Sequence, residues 1–228
     1  DNKVISNDII KEIDEHLKNL EKVTGKTLGD PKNPLLVSVR SGARASMPGM
    51  MDTVLNLGMN DTVALEFTKI TNNKRFVYDS YRRLIMMFAD VVMGRDKSIF
   101  EEYLTDYKKA HGYQNDTDLG GDDWFNIANK YKEMYVELTN EEFPQDASKQ
   151  LIMAVGAVFR SWNNKRAVYY RKINNIPNSW GTAVNIQEMV YGNKNNNSGT
   201  GVAFSRSPVN GEPKLFGEYL INAQGEDV

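Results

Sequence analysis

The sequence predicts an α+β fold, and three features of its hydrophobic pattern support this class. Between residues 61 and 174, apolar residues recur at helical spacing in several successive segments. After Pro177 the period changes to two, which is typical of strands. Near the amino terminus, the apolar run at residues 35–39 is too short for a free-standing helix and predicts a buried strand. We therefore expect strands on either side of a large helical insertion.

The amino-terminal part is predicted as a helix, a strand and a loop. Apolar residues recur at helical spacing over residues 5–20, and Asn7 or Asp8 could cap the start of that helix. The strand at 35–39 is followed by a loop rich in small residues. In this loop Met47-Pro48-Gly49-Met50 predicts a tight turn, because proline fixes φ and glycine accepts a left-handed backbone.

The remaining elements are predicted from periodicity and turn residues. Helices are expected over residues 75–93, 96–110, 122–138, 147–162 and 166–174. Strands are expected over residues 182–190, 201–206 and 214–223. Loops of turn residues join these three strands in sequence, and such loops favour an antiparallel meander. The fold prediction therefore includes an antiparallel carboxy-terminal sheet.

Composition and charge exclude several classes of protein. The chain has 228 residues, of which 40% are hydrophobic and 25% charged, as in globular proteins with one large or two small domains. A net charge of −2 argues against a nucleic-acid partner. No apolar run approaches the ~20 residues of a membrane-spanning helix, so we expect no membrane partner.

The absence of cysteine excludes disulfides and thiolate metal sites. It also fits a reducing compartment, and we expect a cytoplasmic location. The chain shows no signal peptide and begins without methionine, which suggests a fragment of a longer protein. His16 and His111 lie in polar helical segments without a partner at ligand spacing, so neither is expected to be catalytic.

Two arginines among small residues form the first candidate site. Arg40 and Arg44 lie in the segment Ser-Val-Arg-Ser-Gly-Ala-Arg-Ala-Ser at residues 38–46. Small residues let the main chain approach an anion closely, and guanidinium groups can bind phosphate oxygens in pairs. The residues alone leave two interpretations open. One is a polyphosphate site, and the other is an ordinary strand-to-turn junction with surface arginines.

A second arginine pair and one strand are weaker candidates. Arg82 and Arg83 are adjacent on a predicted helix and point about 100° apart, so one could face a cleft and the other solvent. The segment 185–190 could offer adenine one carbonyl and one N–H beside Gln187, while Met189 packs on the ring. Two solvated arginines and a plain strand remain open as alternatives.

The carboxy-terminal segment holds the last candidates. Thr200 and Gly201 end a polar loop that could cover phosphates, although it is not a Walker A loop, and an exposed hairpin turn remains an alternative. Glu218, Glu226 and Asp227 could bind Mg²⁺, which prefers oxygen ligands. A solvated chain end with three acids is the other interpretation.

Taken together, these segments resemble the ATP-binding domain of the pyruvate, phosphate dikinase family. The resemblance covers nearly the whole chain and is weakest between about residues 93 and 141. Phosphoenolpyruvate synthases share the Ser-Val-Arg-Ser start but usually diverge where this chain has Met47 to Asp52, so the match favours the dikinase. The segments that carry the resemblance are residues 38–53, 78–83, 159–162, 180–185, 198–204 and 217–228.

The resemblance implies an ATP-grasp-type nucleotide-binding domain. Residues 1–60 and 175–228 would form the nucleotide-binding portion, and residues 61–174 a helical subdomain. The family enzyme converts ATP, phosphate and pyruvate to AMP, diphosphate and phosphoenolpyruvate by phosphorylating a histidine on a separate swivelling domain. The implied ligands are ATP, inorganic phosphate and Mg²⁺, and the full-length enzyme is expected to be a homodimer.

Residue roles also follow from the resemblance. Arg40 and Arg83 are implied as catalytic cations on the phosphate side, and Glu218 and Glu226 as metal ligands. The residues implied to bind the nucleotide are Arg40, Arg44, Gln187, Met189, Thr200, Gly201, Glu226 and Asp227.

The family's ATP domain begins earlier, with a glycine-rich segment that carries a lysine, and ends later, with further metal-binding residues. We therefore expect this span alone to be inactive and to bind Mg-ATP weakly. Two other functions remain as alternatives: a phosphotransferase similar to phosphoenolpyruvate synthase, and a nonenzymatic nucleotide-binding module.

Overall fold

The computed structural model describes residues 5–228, apart from the side chain of Glu226, and divides the chain into two compact units. The first unit comprises the chain up to Asn115 and Leu119–Met189, and the second comprises Asp116–Asp118 and Val190–Val228. Helices and small antiparallel sheets are both present, which confirms the mixed class. The predicted division into a nucleotide-binding portion and a helical subdomain stays a prediction.

Apart from α2, which lies outside the individual helix segments predicted, the helices follow the predicted segments closely. They are α1 (Asn7–Thr24), α2 (Asp61–Thr71), α3 (Lys74–Met87), α4 (Ser98–His111), α5 (Gly121–Thr139), α6 (Ala147–Ser161) and α7 (Lys165–Ile173), and a π-helical turn at Phe88–Val92 continues α3. Helix α1 begins one residue after Ser6, whose side chain accepts a hydrogen bond from the Ile9 N–H. The predicted cap at Asn7 or Asp8 was therefore wrong. Among these helices, all within the described residues, none combines the length and apolarity that crossing a lipid bilayer requires.

The strands form three small sheets. They are β1 (Thr27–Leu28), β2 (Pro34–Leu35), β3 (Val37–Ala43), β4 (Thr53–Leu57), β5 (Thr182–Glu188), β6 (Gly199–Phe204) and β7 (Phe216–Ile221). β1 pairs with β2 in parallel, β3 lies between β4 and β5 in an antiparallel sheet, and β6 pairs with β7 in an antiparallel hairpin.

The predicted meander is wrong in one of its pairings. β6 and β7 pair as expected, but β5 pairs with β3 through seven consecutive residue pairs, from Val37 opposite Glu188 to Ala43 opposite Thr182. Turn residues between two strands show where each strand ends, but they do not show which strand is its partner. β4 was not predicted at all; it is short and ends in a tight turn at Gly58, where φ is 101°.

Strand β3 also extends further than predicted. The sequence places a loop after residue 39, whereas the structure continues the strand through Arg40 to Ala43. Serine, glycine and alanine have low strand propensity, but pairing with β5 along the whole length supplies a hydrogen-bonding partner that local propensity does not reflect. Arg40 therefore lies on a strand inside a sheet.

The core of the first unit lies around this sheet and between helices. Leu35, Val37, Val39 and Leu57 are fully buried. Helix α3 packs along α5 and against β4, and α6 contacts β3, β4 and β5. Edge-to-face aromatic contacts join Phe143 to its neighbours in this core: Tyr81, Phe88 and Tyr135. The sheet that carries Arg40 is thus backed by packed helices.

Candidate functional site

Arg40 lies at the middle strand of the three-stranded sheet with an exposed side chain. It is opposite Thr53 of β4 and Asn185 of β5. Its Nε donates a hydrogen bond to the Ser38 Oγ at 3.2 Å, which fixes the start of the guanidinium group. Because both neighbouring strands hold the backbone here, the position of Arg40 is set by the sheet and not by a flexible loop.

The register brings Gln187 to the same face of the sheet as Arg40. Gln187 is opposite Ser38, and Asn185 is opposite Arg40. Directly opposite residues point to the same side of a sheet, and so do residues two apart on one strand. Gln187 and Arg40 are both exposed on this face. Met189 differs: it follows β5, its N–H donates to the Leu36 carbonyl at 2.9 Å, and its side chain is buried.

Arg44 lies beyond the strand, beside an aromatic ring that the sequence analysis did not select. Its guanidinium carbon is 4.6 Å from the centroid of the Trp180 ring, a cation–π geometry. Trp180 ends the 3-10 turn Asn178–Trp180 just before β5. Tryptophan in a loop next to a predicted binding strand was the signal that could have indicated this residue.

The turn after Arg44 is anchored to the junction of α6 and α7. The Met50 N–H donates to the Met47 carbonyl at 3.2 Å and Gly49 has φ 71°, which confirms the predicted turn. Asn164 Nδ2 and Arg166 Nε each donate to the Met50 carbonyl at 3.1 Å. Arg166 also forms an ion pair with Asp52, which follows the turn. Met47 and Met51 are buried against Trp162 and Ala167.

The same junction holds the turn that carries Trp180. Arg171 is buried, its guanidinium lies 4.0 Å from the centroid of the Trp162 ring, and its Nε donates to Asn178 Oδ1 at 2.9 Å. Trp162 Nε1 donates to the Asn178 carbonyl at 3.2 Å. Burial lowers the pKa of the Arg171 guanidinium. One helical junction therefore supports both flanks of Arg44.

Arg82 and Arg83 do not divide between a cleft and solvent, and that expectation was wrong. They are 4% and 5% exposed, and both bind Asp79 Oδ1. Arg82 Nη2 is 2.9 Å and Arg83 Nε 3.0 Å from this oxygen, because residues three and four positions apart share one side of a helix. The Arg82 guanidinium also lies 4.5 Å from the centroid of Trp124. The phosphate-side role of Arg83 stays a prediction.

The second unit holds the remaining predicted residues. Thr200 and Gly201 lie on β6, and Glu218 lies on β7 opposite Val202, so Thr200 and Glu218 share a face of the hairpin. A Cβ placed on Gly201 would be 2.7 Å from the Glu218 carbonyl oxygen, so only glycine fits there. The Thr200 hydroxyl lies about 4.0 Å from a Cβ placed on Gly225, next to the final turn.

The final turn of the chain contains the predicted acids. Asp227 Oδ2 accepts a hydrogen bond from the Gln224 N–H at 2.8 Å and caps this 3-10 turn. The Glu226 side chain lies outside the described residues. Within the part of the chain that the structure describes, no group of three histidine, cysteine, aspartate or glutamate side chains could hold a metal ion. A magnesium site is therefore not assembled from the described residues.

The polar loop before β6 is tied down by its own contacts. Asn193 is buried, and its Oδ1 accepts a hydrogen bond from Gln224 Nε2 at 3.2 Å. The Ala223 N–H donates to the Gly192 carbonyl at 3.1 Å, and the Asn222 N–H donates to the Ser198 carbonyl at 2.8 Å. The loop thus packs along the segment that leads into the final turn.

Comparison with known proteins identifies the family. The family model described as "Pyruvate phosphate dikinase, AMP/ATP-binding domain" matches residues 1–228. The chain belongs to this family. The exposed arginines of β3 and of the loop that follows it therefore lie in a domain of the pyruvate phosphate dikinase family.

Relatives of known name agree with this assignment. The chain is 58% identical over 227 residues to the pyruvate, phosphate dikinase of Clostridium symbiosum, covering 99% of this chain and 26% of that protein. It is 53% identical over 218 residues to that of Rhizobium meliloti (strain 1021), covering 96% and 24%. It is 54% identical over 226 residues to the chloroplastic enzyme of Mesembryanthemum crystallinum, covering 99% and 24%. The chain spans about a quarter of the length of these relatives.

Proposed function

We propose that this chain is the nucleotide-binding part of a pyruvate, phosphate dikinase. The whole protein would convert ATP, inorganic phosphate and pyruvate to AMP, diphosphate and phosphoenolpyruvate, through a phosphorylated histidine on a separate swivelling domain. Family membership and the names of relatives that are 53% and 58% identical support this reaction. An ATP-grasp-type fold is part of the proposal, with residues 1–60 and 175–228 as its nucleotide-binding portion and 61–174 as its helical subdomain.

The observation that carries the proposal is the position of Arg40. It is exposed on the middle strand of a sheet, on the same face as Gln187, and Arg44 follows four residues later beside Trp180. A guanidinium group held in this way can bind phosphate oxygens with little loss of side-chain freedom. We assign phosphate binding to Arg40 and Arg44. Arg83 remains in the proposal as a second cation, with its guanidinium fixed by Asp79.

The other proposed roles are divided between residues of the first unit and residues of the second unit. In the first, β5 with Gln187 and Met189 is proposed to bind the adenine side of the nucleotide, and the exposed strand supports this for Gln187. The buried Met189 side chain would contribute from below the surface. In the second, Thr200, Gly201, Glu226 and Asp227 are proposed to bind the nucleotide.

The chemistry that these residues contribute is binding and orientation. Each hydrogen bond between an arginine and a phosphate oxygen is worth about 1.5–3 kcal/mol. Arg40 would hold the triphosphate in line for transfer, and its charge would offset the charge that develops on the phosphate oxygens. Proton transfer is not assigned to any residue of this chain, since phosphoryl transfer depends mainly on position and charge.

The proposed binding of magnesium is supported only by the chemistry of its candidate ligands. Mg²⁺ would neutralise part of the triphosphate charge when bound. Glu218 and Glu226 supply the oxygen ligands that this ion prefers, but the described residues do not bring three such groups together. No step of the reaction is therefore assigned to the ion.

The test is nucleotide binding by the full-length protein. We expect Arg40→Ala to weaken Mg-ATP binding at least tenfold in calorimetry, because about 1.5–3 kcal/mol is lost with each charged hydrogen bond. Arg95→Ala is the matched control, since Arg95 is an exposed arginine of the same unit outside the proposed site. Equal affinities for both variants would show that Arg40 does not bind phosphate. A requirement for inorganic phosphate in turnover would separate the dikinase from a synthase-like phosphotransferase.

The proposal extends to assembly and location of the whole enzyme. We propose a homodimer in a cytoplasmic compartment, although one of the relatives, that of Mesembryanthemum crystallinum, is named chloroplastic. Sedimentation of the full-length protein would test the first point, and a fluorescent fusion in the source cell the second.

A further inference from the structure

Helix α1 buries none of its residues although its sequence is strongly amphipathic. Ile9, Ile13, Leu17 and Leu20 recur at helical spacing, and Ile9 is 38% exposed. Most helices in proteins are stabilised by packing of their apolar face, and an isolated helix of 18 residues is marginal in water. The apolar stripe of α1 is therefore only partly covered by the described residues.

Two grooves run along this stripe, between α1 and β5. The larger has a volume of about 710 Å³, and its walls include Ile9 of α1 and Phe159 of α6. The smaller has a volume of about 330 Å³, and its walls include Leu20. Ile13, His16 and Ile186 line both grooves, so the two adjoin. Together they form a groove along the helix that is mostly apolar, with polar side chains in its walls at Glu12, His16, Asn185 and Gln187.

The outer edge of β5 borders this groove. The Met189 N–H donates to the Leu36 carbonyl, and this pair continues the β3–β5 register. Hydrogen-bonded pairs alternate along an antiparallel ladder, so the main chains of residues 187, 185 and 183 also bond to β3. The N–H and C=O groups of Val184, Ile186 and Glu188 therefore point the other way. Among the described strands, none pairs with β5 on that side.

We propose that an extended segment of the same polypeptide, from outside residues 1–228, lies in this groove and adds a strand to the sheet beside β5. Its main chain would bond to Val184, Ile186 and Glu188, and its apolar side chains would pack on Ile13 and its neighbours. This mode of binding takes affinity from main-chain hydrogen bonds and specificity from alternate side chains.

The dimensions of the groove fit a strand. From Ile9 to Val23 the helix rises about 21 Å, at about 1.5 Å per residue. An extended chain covers that distance in about six residues, at about 3.3 Å each. β5 has seven residues, so the two strands would match in length. A helical occupant would leave the edge of β5 unpaired, because a helix uses its own main-chain groups.

The length of the relatives argues for an occupant in the same polypeptide. The chain covers 26% and 24% of the relatives from Clostridium symbiosum and Rhizobium meliloti, so about three quarters of a polypeptide of that length lies outside it. A segment of the same polypeptide binds intramolecularly, and with a short linker its effective concentration reaches about millimolar. A second copy of the chain is the competing occupant.

The first test is amide hydrogen exchange at single-residue resolution, in residues 1–228 alone and in the full-length polypeptide. We expect the amides of Val184, Ile186 and Glu188 to exchange at least about 100-fold more slowly in the full-length protein, because pairing protects an amide from solvent. Asn185 and Gln187 should be protected in both, since they bond to β3. Equal rates for Ile186 in the two proteins would overturn the proposal. Protection in the short chain that rises with its concentration would also overturn it, in favour of a second copy.

The second test uses two adjacent proline substitutions. Val184→Pro removes an outward N–H, and Asn185→Pro removes one that bonds to β3. In residues 1–228 we expect only Asn185→Pro to lower the melting temperature by several degrees, since an edge strand tolerates proline where the N–H faces outward. In the full-length protein both should do so. The added strand would be contradicted if Val184→Pro lowered the melting temperature of the full-length protein by no more than it lowers that of residues 1–228. Neither test involves a nucleotide, so its result is independent of the proposed function.

Discussion

The two arginine pairs of this chain lie in opposite environments. Arg40 and Arg44 are exposed at the sheet and its following loop, and within the described residues neither pairs with a carboxylate. Arg82 and Arg83 are almost fully buried in helix α3 and share one oxygen of Asp79. Both pairs suit phosphate equally well by composition. The structure separates an exposed pair of arginines from a buried pair whose guanidinium groups both bind Asp79.

The difference has an energetic cause. A buried guanidinium loses its hydration and must recover that free energy from a carboxylate and from aromatic contacts, here Asp79 and the Trp124 ring. An exposed guanidinium on a rigid strand keeps its hydration until a ligand displaces it. Substitution of the first kind of arginine should therefore lower stability, and substitution of the second should lower affinity without lowering stability.

The largest expected effect is on the buried pair. Asp79→Asn leaves two buried guanidinium groups without their shared charge, and we expect it to lower the free energy of unfolding by about 3–5 kcal/mol. Asp122→Asn is the control, because its ion pair with Lys74 is exposed and worth at most about 1 kcal/mol. Urea unfolding measures both. A loss under about 1 kcal/mol for Asp79→Asn would mean that the buried pairing contributes little.

Substituting methionine for one arginine of each pair tests the difference between the two pairs directly. Arg83→Met should lower the free energy of unfolding by about 1–3 kcal/mol, since a buried hydrogen bond to Asp79 is lost. Arg40→Met should change it by less than about 0.5 kcal/mol, as for most surface positions. In the full-length protein, Arg40→Met should nevertheless weaken Mg-ATP binding at least tenfold, because the charged hydrogen bonds to phosphate are lost. If Arg40→Met destabilised the fold as much as Arg83→Met, the two pairs would not differ in role.

Local signals in the sequence predicted local structure well. Helix α4 ends at His111, one residue beyond the predicted end, and Gly112 follows it with a left-handed backbone; the Met47–Met50 turn forms where proline and glycine placed it. These features depend on φ preferences of single residues, which the sequence states directly. The family resemblance was equally visible, because it rests on contiguous segments.

Features that depend on distant partners could not be predicted. β5 pairs with β3 instead of β6, although β6 is the next strand in sequence. The burial of Arg83 depends on Asp79 and on the packing of α5 against α3, and neither follows from helical periodicity. Trp180 contacts Arg44 in a position that depends on Arg171, which anchors the turn that carries Trp180. Each case required knowledge of which elements meet in space.

A smaller effect is expected at Asn164, which anchors the turn that follows Arg44. Asn164 caps α7 by accepting from the Ala167 N–H at 2.8 Å, and it also donates to the Met50 carbonyl. Asn164→Ala should cost about 1–2 kcal/mol, as for other N-caps. Asp146→Ala removes the N-cap of α6 and should cost a similar amount without touching the turn. Faster hydrogen exchange of the Met50 amide in Asn164→Ala alone would show that the cap also holds the turn, and equal exchange in both variants would contradict this.

The smallest effect is expected at Asp123, whose carboxylate accepts hydrogen bonds from hydroxyl and N–H groups instead of arginines. Burial pushes the pKa of Asp123 up, but hydrogen bonds from the Gly120 N–H, Tyr107 and Tyr113 outweigh it and hold the pKa below its ordinary value of 3.8. A lowered pKa adds stability that is present above pH 3.8 and is lost as the pH falls through the folded-state pKa. Asp123→Asn should therefore lower the free energy of unfolding by at most about 1 kcal/mol at pH 7. As the pH falls below 3.8, the difference in stability between Asp123→Asn and the parent chain should shrink. Urea unfolding at pH 7 and at a series of pH values below 3.8 tests this, with Asp122→Asn as the neighbouring control. A difference that stays constant as the pH falls would mean that the amide disturbs the start of α5 by its shape and not by the loss of charge.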